Sequence, residues 1–153
     1  MDVFSRTFLP AAAEAGVAIP TVSRHMPIFR RCVEPDDSTV LVTRCVSPDH
    51  PMAGEFLMLL TYRRLVITQE TRVLHRLRLH LNANLRHLSN VTWNSDLRAT
   101  AVEIAATAVD GVRERFRVRL MEPEQVWQVD SLLRHVFRVR PAAAVTQGPV
   151  VAA

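Results

Sequence analysis

The segment Val112–Leu120 reads Val-Arg-Glu-Arg-Phe-Arg-Val-Arg-Leu and alternates with a period of two. Val112, Phe116, Val118 and Leu120 share one side, joined only by Glu114; Arg113, Arg115, Arg117 and Arg119 share the other. Successive side chains of an extended chain point to opposite faces, whereas a helix would scatter the same residues around its circumference. The segment is therefore a strand with one buried and one wet face. Such a sheet needs a covering layer, and the next residues provide one. Pro123 suits the first position of a helix, Glu122 and Glu124 suit its start, and Arg134 and His135 suit its last turns. Val126, Val129, Leu132, Leu133, Val136 and Phe137 then form one apolar stripe.

The earlier chain reads mostly as strands. Thr39–Val46 is rich in β-branched residues, and Glu55–Tyr62 is a nearly continuous apolar run. Between them, Ser47–Gly54 holds two prolines and a glycine and reads as a loop. Leu65–Thr68 continues after the Tyr62-Arg63-Arg64 turn. In Val73–Leu81, Leu77, Leu79 and Leu81 alternate with Arg76, Arg78 and His80, so the latter three are expected on one outer face. Asn82–Asn90 holds a single helical turn around Leu85 and Leu88, Val91–Trp93 starts a further strand, and Asn94-Ser95-Asp96 turns. Ala101–Ala108 is a short strand leading to the hairpin signal Asp110-Gly111.

Thr21 or Ser23 caps a short helix over His25–Val33, ended by Glu34-Pro35. Residues 1–20 read as a loosely held arm and residues 141–153 as a flexible tail, leaving one domain over 21–140. The expected fold is α+β and mostly β: an antiparallel bent sandwich or half-barrel of about seven strands, capped by the C-terminal amphipathic helix.

A chain of 153 residues can bury roughly two thirds of its unfolded surface, so it needs no staples. Met1–Pro20 is interrupted by Pro10 and Glu14 and makes a poor signal peptide, so a cytosolic setting with Cys32 and Cys45 as reduced thiols is expected. No run of eighteen apolar residues exists.

All 19 basic residues are arginine and the formal net charge is +4. The abundance of arginine and alanine, both with GC-rich codons, suggests a GC-rich bacterial genome. Arginine presents a planar fork that pairs bidentately with carboxylate or phosphate. On a strand, Arg113, Arg115, Arg117 and Arg119 stand about 6.6–7 Å apart and repel one another, which favours an anionic partner. The plainer reading is a solvated face partly neutralised by a cross-strand acid such as Glu103. Residues 63–88 carry six arginines against Glu70 alone. A nucleic-acid reading needs the two arginine sets in one continuous basic stripe with interleaved aromatics, and aromatics make up only 6% of the chain.

Signals for chemistry are weak. His75, His80 and His87 have no carboxylate or cysteine at ligand-like spacing, so no metal site is expected. No nucleophile elbow, zinc-protease helix or glycine-rich phosphate loop is present. His25 and Cys32 lie two helical turns apart, roughly 10 Å, too far for a nucleophile–base pair. Trp127 lies off the helix stripe and is expected to pack at its edge, or to anchor a partner if exposed.

The acidic turn Glu34-Pro35-Asp36-Asp37, the run into Thr61-Tyr62-Arg63-Arg64-Leu65 with Val66-Ile67-Thr68, and the order of later elements resemble the bacterial pleckstrin-homology-like and GRAM-like modules. The resemblance covers residues 21–140. It implies a recognition module without catalysis or cofactor, of a kind that binds lipids, peptides or copies of itself. The loop Ser47–Gly54 lacks arginine, so no inositol-phosphate site maps there. The expected function is protein–protein recognition, with another protein or a second copy, through Arg76, Arg78, His80, Arg113, Arg115, Arg117 and Arg119. Peripheral binding to anionic lipid headgroups is the first alternative and nucleic-acid binding the second.

Overall fold

The computed structural model describes residues 1–138; the expected tail over 141–153 lies outside them. The fold is α+β, with three helices and seven strands in two antiparallel sheets of four and three strands. The chain divides into two compact units: Met1–Cys45 with Pro51–Leu85, and Val46–His50 with the described residues from Arg86 onward.

The first unit contains α1 (Val3–Glu14), α2 (Ile19–Cys32), β1 (Thr39–Cys45), β2 (Glu55–Thr61), β3 (Arg64–Glu70) and β4 (Leu77–Asn84). The strands form a meander in the order β1-β2-β3-β4. Register places Val42 opposite Leu59 and Leu59 opposite Val66. These side chains, with Leu57, build a core against Phe4, Phe8 and Phe29 of the two helices. The rings of Phe4 and Phe8 are 5.3 Å apart, and those of Phe8 and Phe29 5.6 Å. On the opposite face, Phe56, Met58, Leu60 and Ile67 are also buried.

The expectation of a loose arm over residues 1–20 is corrected. Asp2 caps α1 by accepting from the Ser5 N–H at 2.8 Å. Phe4, Phe8 and Ala12, four residues apart, line one buried stripe. Gly16, at φ +71°, ends the helix, with its N–H and that of Val17 bonded to the carbonyls of Ala13 and Ala12. Pro10 removes one bond inside the helix, and burying two phenylalanines outweighs that loss. α2 likewise starts earlier than expected, at Ile19, with Pro20 in its first turn.

The acidic turn and the Thr61–Leu65 run clasp each other. Thr61 Oγ1 donates to the buried carboxylate of Asp37 at 2.6 Å and accepts from the N–H groups of Arg63 and Arg64. Arg63 reaches Glu34 at 2.7 Å and Asp36 at 3.1 Å.

The face assignment along β4 is also corrected. Ile67 pairs with Leu81 but Thr68 pairs with Leu79, which leaves His80 as an extra residue. This bulge breaks the period of two. Leu77 and Leu79 share one face; Arg78 and Leu81 share the other.

The second unit contains β5 (Ser89–Asp96), β6 (Ala101–Thr107), β7 (Arg113–Arg119) and α3 (Pro123–Arg138). Asn94–Asp96 continue β5 rather than turning, and the chain reverses over 97–100. Gly111, at φ +83°, serves the β6–β7 turn as the Asp-Gly pair implies. α3 packs on β5 and β6. Val126, Val129, Leu133, Val136 and Phe137 are buried, as are Trp93, Ile104 and Phe116 on successive strands. Asp130 ties helix to sheet. Its carboxylate accepts from Trp93 Nε1 and Ser95 Oγ, both at 2.9 Å, and from Arg134 at 2.7 Å. Trp127 is 57% exposed, which corrects its expected packing at the stripe's edge.

Candidate partner-binding faces

β7 positions the four arginines as its alternation demands. Phe116 and Val118 are buried, while Arg113, Arg115 and Arg119 are exposed and Arg117 is half-buried. The outer face of the three-stranded sheet also carries a shallow cavity of about 350 Å³. It is lined by Thr92, Trp93, Asn94, Glu103, Ala105, Arg113 and Arg115.

The arginines differ in their engagement. Arg113 donates to the Asn90 carbonyl at 2.7 Å and to the hydroxyls of Thr92 and Thr107, and its charge meets no carboxylate among the described residues. Arg115 grips Asp49 with two nitrogens, at 2.8 and 3.3 Å, and lies 3.9 Å from Glu103. The Arg115 guanidinium holds the Asp49 carboxyl below the usual carboxylate range. Arg117 stands opposite Glu103 in register. Among the described residues, the side chains of Arg117 and Arg119 make no hydrogen bond or ion pair. Four guanidiniums thus face two carboxylates, and an anion arriving there gains from the surplus.

Asp49 was not foreseeable as a participant, because the Ser47–Gly54 loop has no periodicity. Its neighbour Val46 anchors it: Val46 and Arg117 exchange two backbone bonds, at 3.0 and 2.8 Å.

The second arginine set is not a ladder. Arg76 sits in the loop before β4, where its backbone closes the turn with Thr71. Arg78 is exposed on β4. His80, at the bulge, is half-buried and packs edge-on against the Phe56 ring with centroids 5.0 Å apart. The β4 and β7 sets belong to different sheets.

A feature missed in the sequence lies at one end of the four-stranded sheet. Gly54 in the β1–β2 loop packs so closely on the backbone of Glu70 and Thr71 that a Cβ would collide with the Glu70 carbonyl. Met52, Val73 and Leu74 are 77%, 88% and 66% exposed. Arg72 and Arg76 flank the latter two.

Two buried groups, His25 and Cys45, lie away from these faces. His25 Nδ1 lies 2.6 Å from Thr68 Oγ1, and burial pushes its pKa down. Cys45 is buried, which pushes its thiol up. Among the described residues, no cluster of three histidines, cysteines or carboxylates has a metal-binding arrangement, and no helix is long and apolar enough to cross a membrane. No protein-family model matches the chain, and comparison with curated proteins finds no relative.

Proposed function

We propose that the chain is a pleckstrin-homology-like recognition module that works by protein–protein contact rather than catalysis, through the outer face of β5–β7. The order of a four-stranded sheet, a three-stranded sheet and a C-terminal helix supports the module. The surface reading rests on one observation: among the described residues, the four arginines on alternate residues of β7 find just two carboxylates, Asp49 and Glu103, both at Arg115, and Arg117 and Arg119 are unengaged. The partner is an acidic protein surface, which a second copy of the chain can also present. Size-exclusion chromatography with light scattering at about 50 and 500 mM salt tests the second copy. A salt-sensitive oligomer lost in Arg117→Glu/Arg119→Glu, with Tm unchanged, is the expected outcome for self-association. For a foreign partner, the same double reversal abolishes its capture.

A second reading has its own observation. The exposed Val73 and Leu74, flanked by Arg72 and Arg76, suit the interface of an anionic bilayer. Co-sedimentation with phosphatidylserine vesicles, lost in Val73→Glu/Leu74→Glu and absent with phosphatidylcholine alone, is its test.

A further inference from the structure

We propose that Asp49 is an internal stand-in for the partner, and that the outer face of β7 takes an extended, carboxylate-rich protein segment in its place. This deepens the protein-contact reading and rests on it. Val46 is anchored to Arg117 by an antiparallel pair of backbone bonds. Three residues later, Asp49 lies in the fork of Arg115. The stretch therefore occupies the arginine face with a single acid.

The contact is displaceable. Both side chains are nearly half exposed, at 45% and 46%, so water competes for each. Asp49 also satisfies only one arginine of four. In an extended segment, side chains on alternate residues recur every ~6.6–7 Å, the same interval as the arginines. A segment with an acid at every second residue therefore meets Arg115, Arg117 and Arg119 in register. Glu103 selects among anions. It stands opposite Arg117 and 3.9 Å from Arg115, so it repels a doubly charged phosphate more than a singly charged carboxylate.

The gate predicts a gain of binding when Asp49 loses its charge. The full chain is titrated into a labelled peptide of alternating glutamate and threonine, and into the same peptide with glutamine for glutamate, read by fluorescence anisotropy. The glutamate peptide alone should bind at about 50 mM salt. Its affinity should rise about threefold or more in Asp49→Asn and fall about tenfold in Arg117→Glu/Arg119→Glu, with Tm unchanged. Equal affinity for wild type and Asp49→Asn, with loss on arginine reversal, overturns the gate and leaves the protein-contact reading standing. Absence of binding in both wild type and Asp49→Asn, or indifference to arginine reversal, overturns the acidic-partner reading with it.

Discussion

Thr61 Oγ1 sits 2.6 Å from the buried carboxylate of Asp37 and receives the N–H groups of Arg63 and Arg64 on its other side. One hydroxyl thus serves a carboxylate and two turn amides. Thr61→Val keeps the shape and leaves these groups without their partner. The expected cost is about 1–3 kcal/mol, read from the urea midpoint. Arg63→Ala, which breaks only exposed ion pairs, should move the midpoint far less.

α1 belongs to the folded body. Phe8 has 0% exposure and contacts both Phe4 and Phe29. Phe8→Ala should destabilise by about 3–5 kcal/mol in chemical denaturation. A change under about 0.5 kcal/mol, the size of an ordinary surface substitution, would return these residues to a loose arm.

The His25 side chain makes stability pH-dependent. Burial favours its neutral form, Glu70 opposes that shift and Arg24 adds to it, with a net lowered pKa. A lowered value means that the unfolded chain takes up the proton first. The contribution is therefore present above the unfolded pKa of about 6.5 and is lost as pH falls below it. Tm should drop between about pH 7.5 and 5.5 in wild type, and this component of the drop should vanish in His25→Gln.

Asp130 joins α3 to β5. Burial alone would raise its carboxyl, but hydrogen bonds from Arg134, Ser95 and Trp93 outweigh burial and hold it below the ordinary range. Its contribution is present above the unfolded pKa of about 3.9 and fades as pH falls through the lower folded value. Asp130→Ala should cost about 1.5–3 kcal/mol at neutral pH by stranding the Trp93 N–H and the Ser95 hydroxyl. Acid denaturation curves of wild type and variant should converge towards low pH.

The two tryptophans should separate cleanly in emission. Trp93 is 4% exposed and Trp127 57% exposed. Trp127→Phe should leave a blue-shifted spectrum that resists acrylamide quenching. A quenchable residual signal would show that Trp93 is open to solvent.

The strands were legible because their signals are local. β7 alternates cleanly, β2 is continuously apolar, and Asp110-Gly111 marks its hairpin. The stripe of α3 was equally plain, and the arginine face followed from it. α1 was missed because Pro10 reads as a breaker, although the spacing of Phe4, Phe8 and Ala12, with Asp2 before and Gly16 after, was present. The Asp49–Arg115 pair spans 66 positions and depends on how Val46 meets Arg117, which no local pattern encodes. Trp127 is exposed because one helical step of about 100° carries it off the stripe that holds Val126.

The extra residue at His80 acts like a shift of reading frame within β4. On either side of it, the rule of two holds; across it, the rule inverts. Removing His80 would shorten the strand and leave every other side chain on the face it already occupies. Removing a residue away from the bulge, towards either end of β4, would exchange faces for part of the strand. Position 80 is therefore where a chain of this fold can lose one residue without rewriting its pattern of inside and outside.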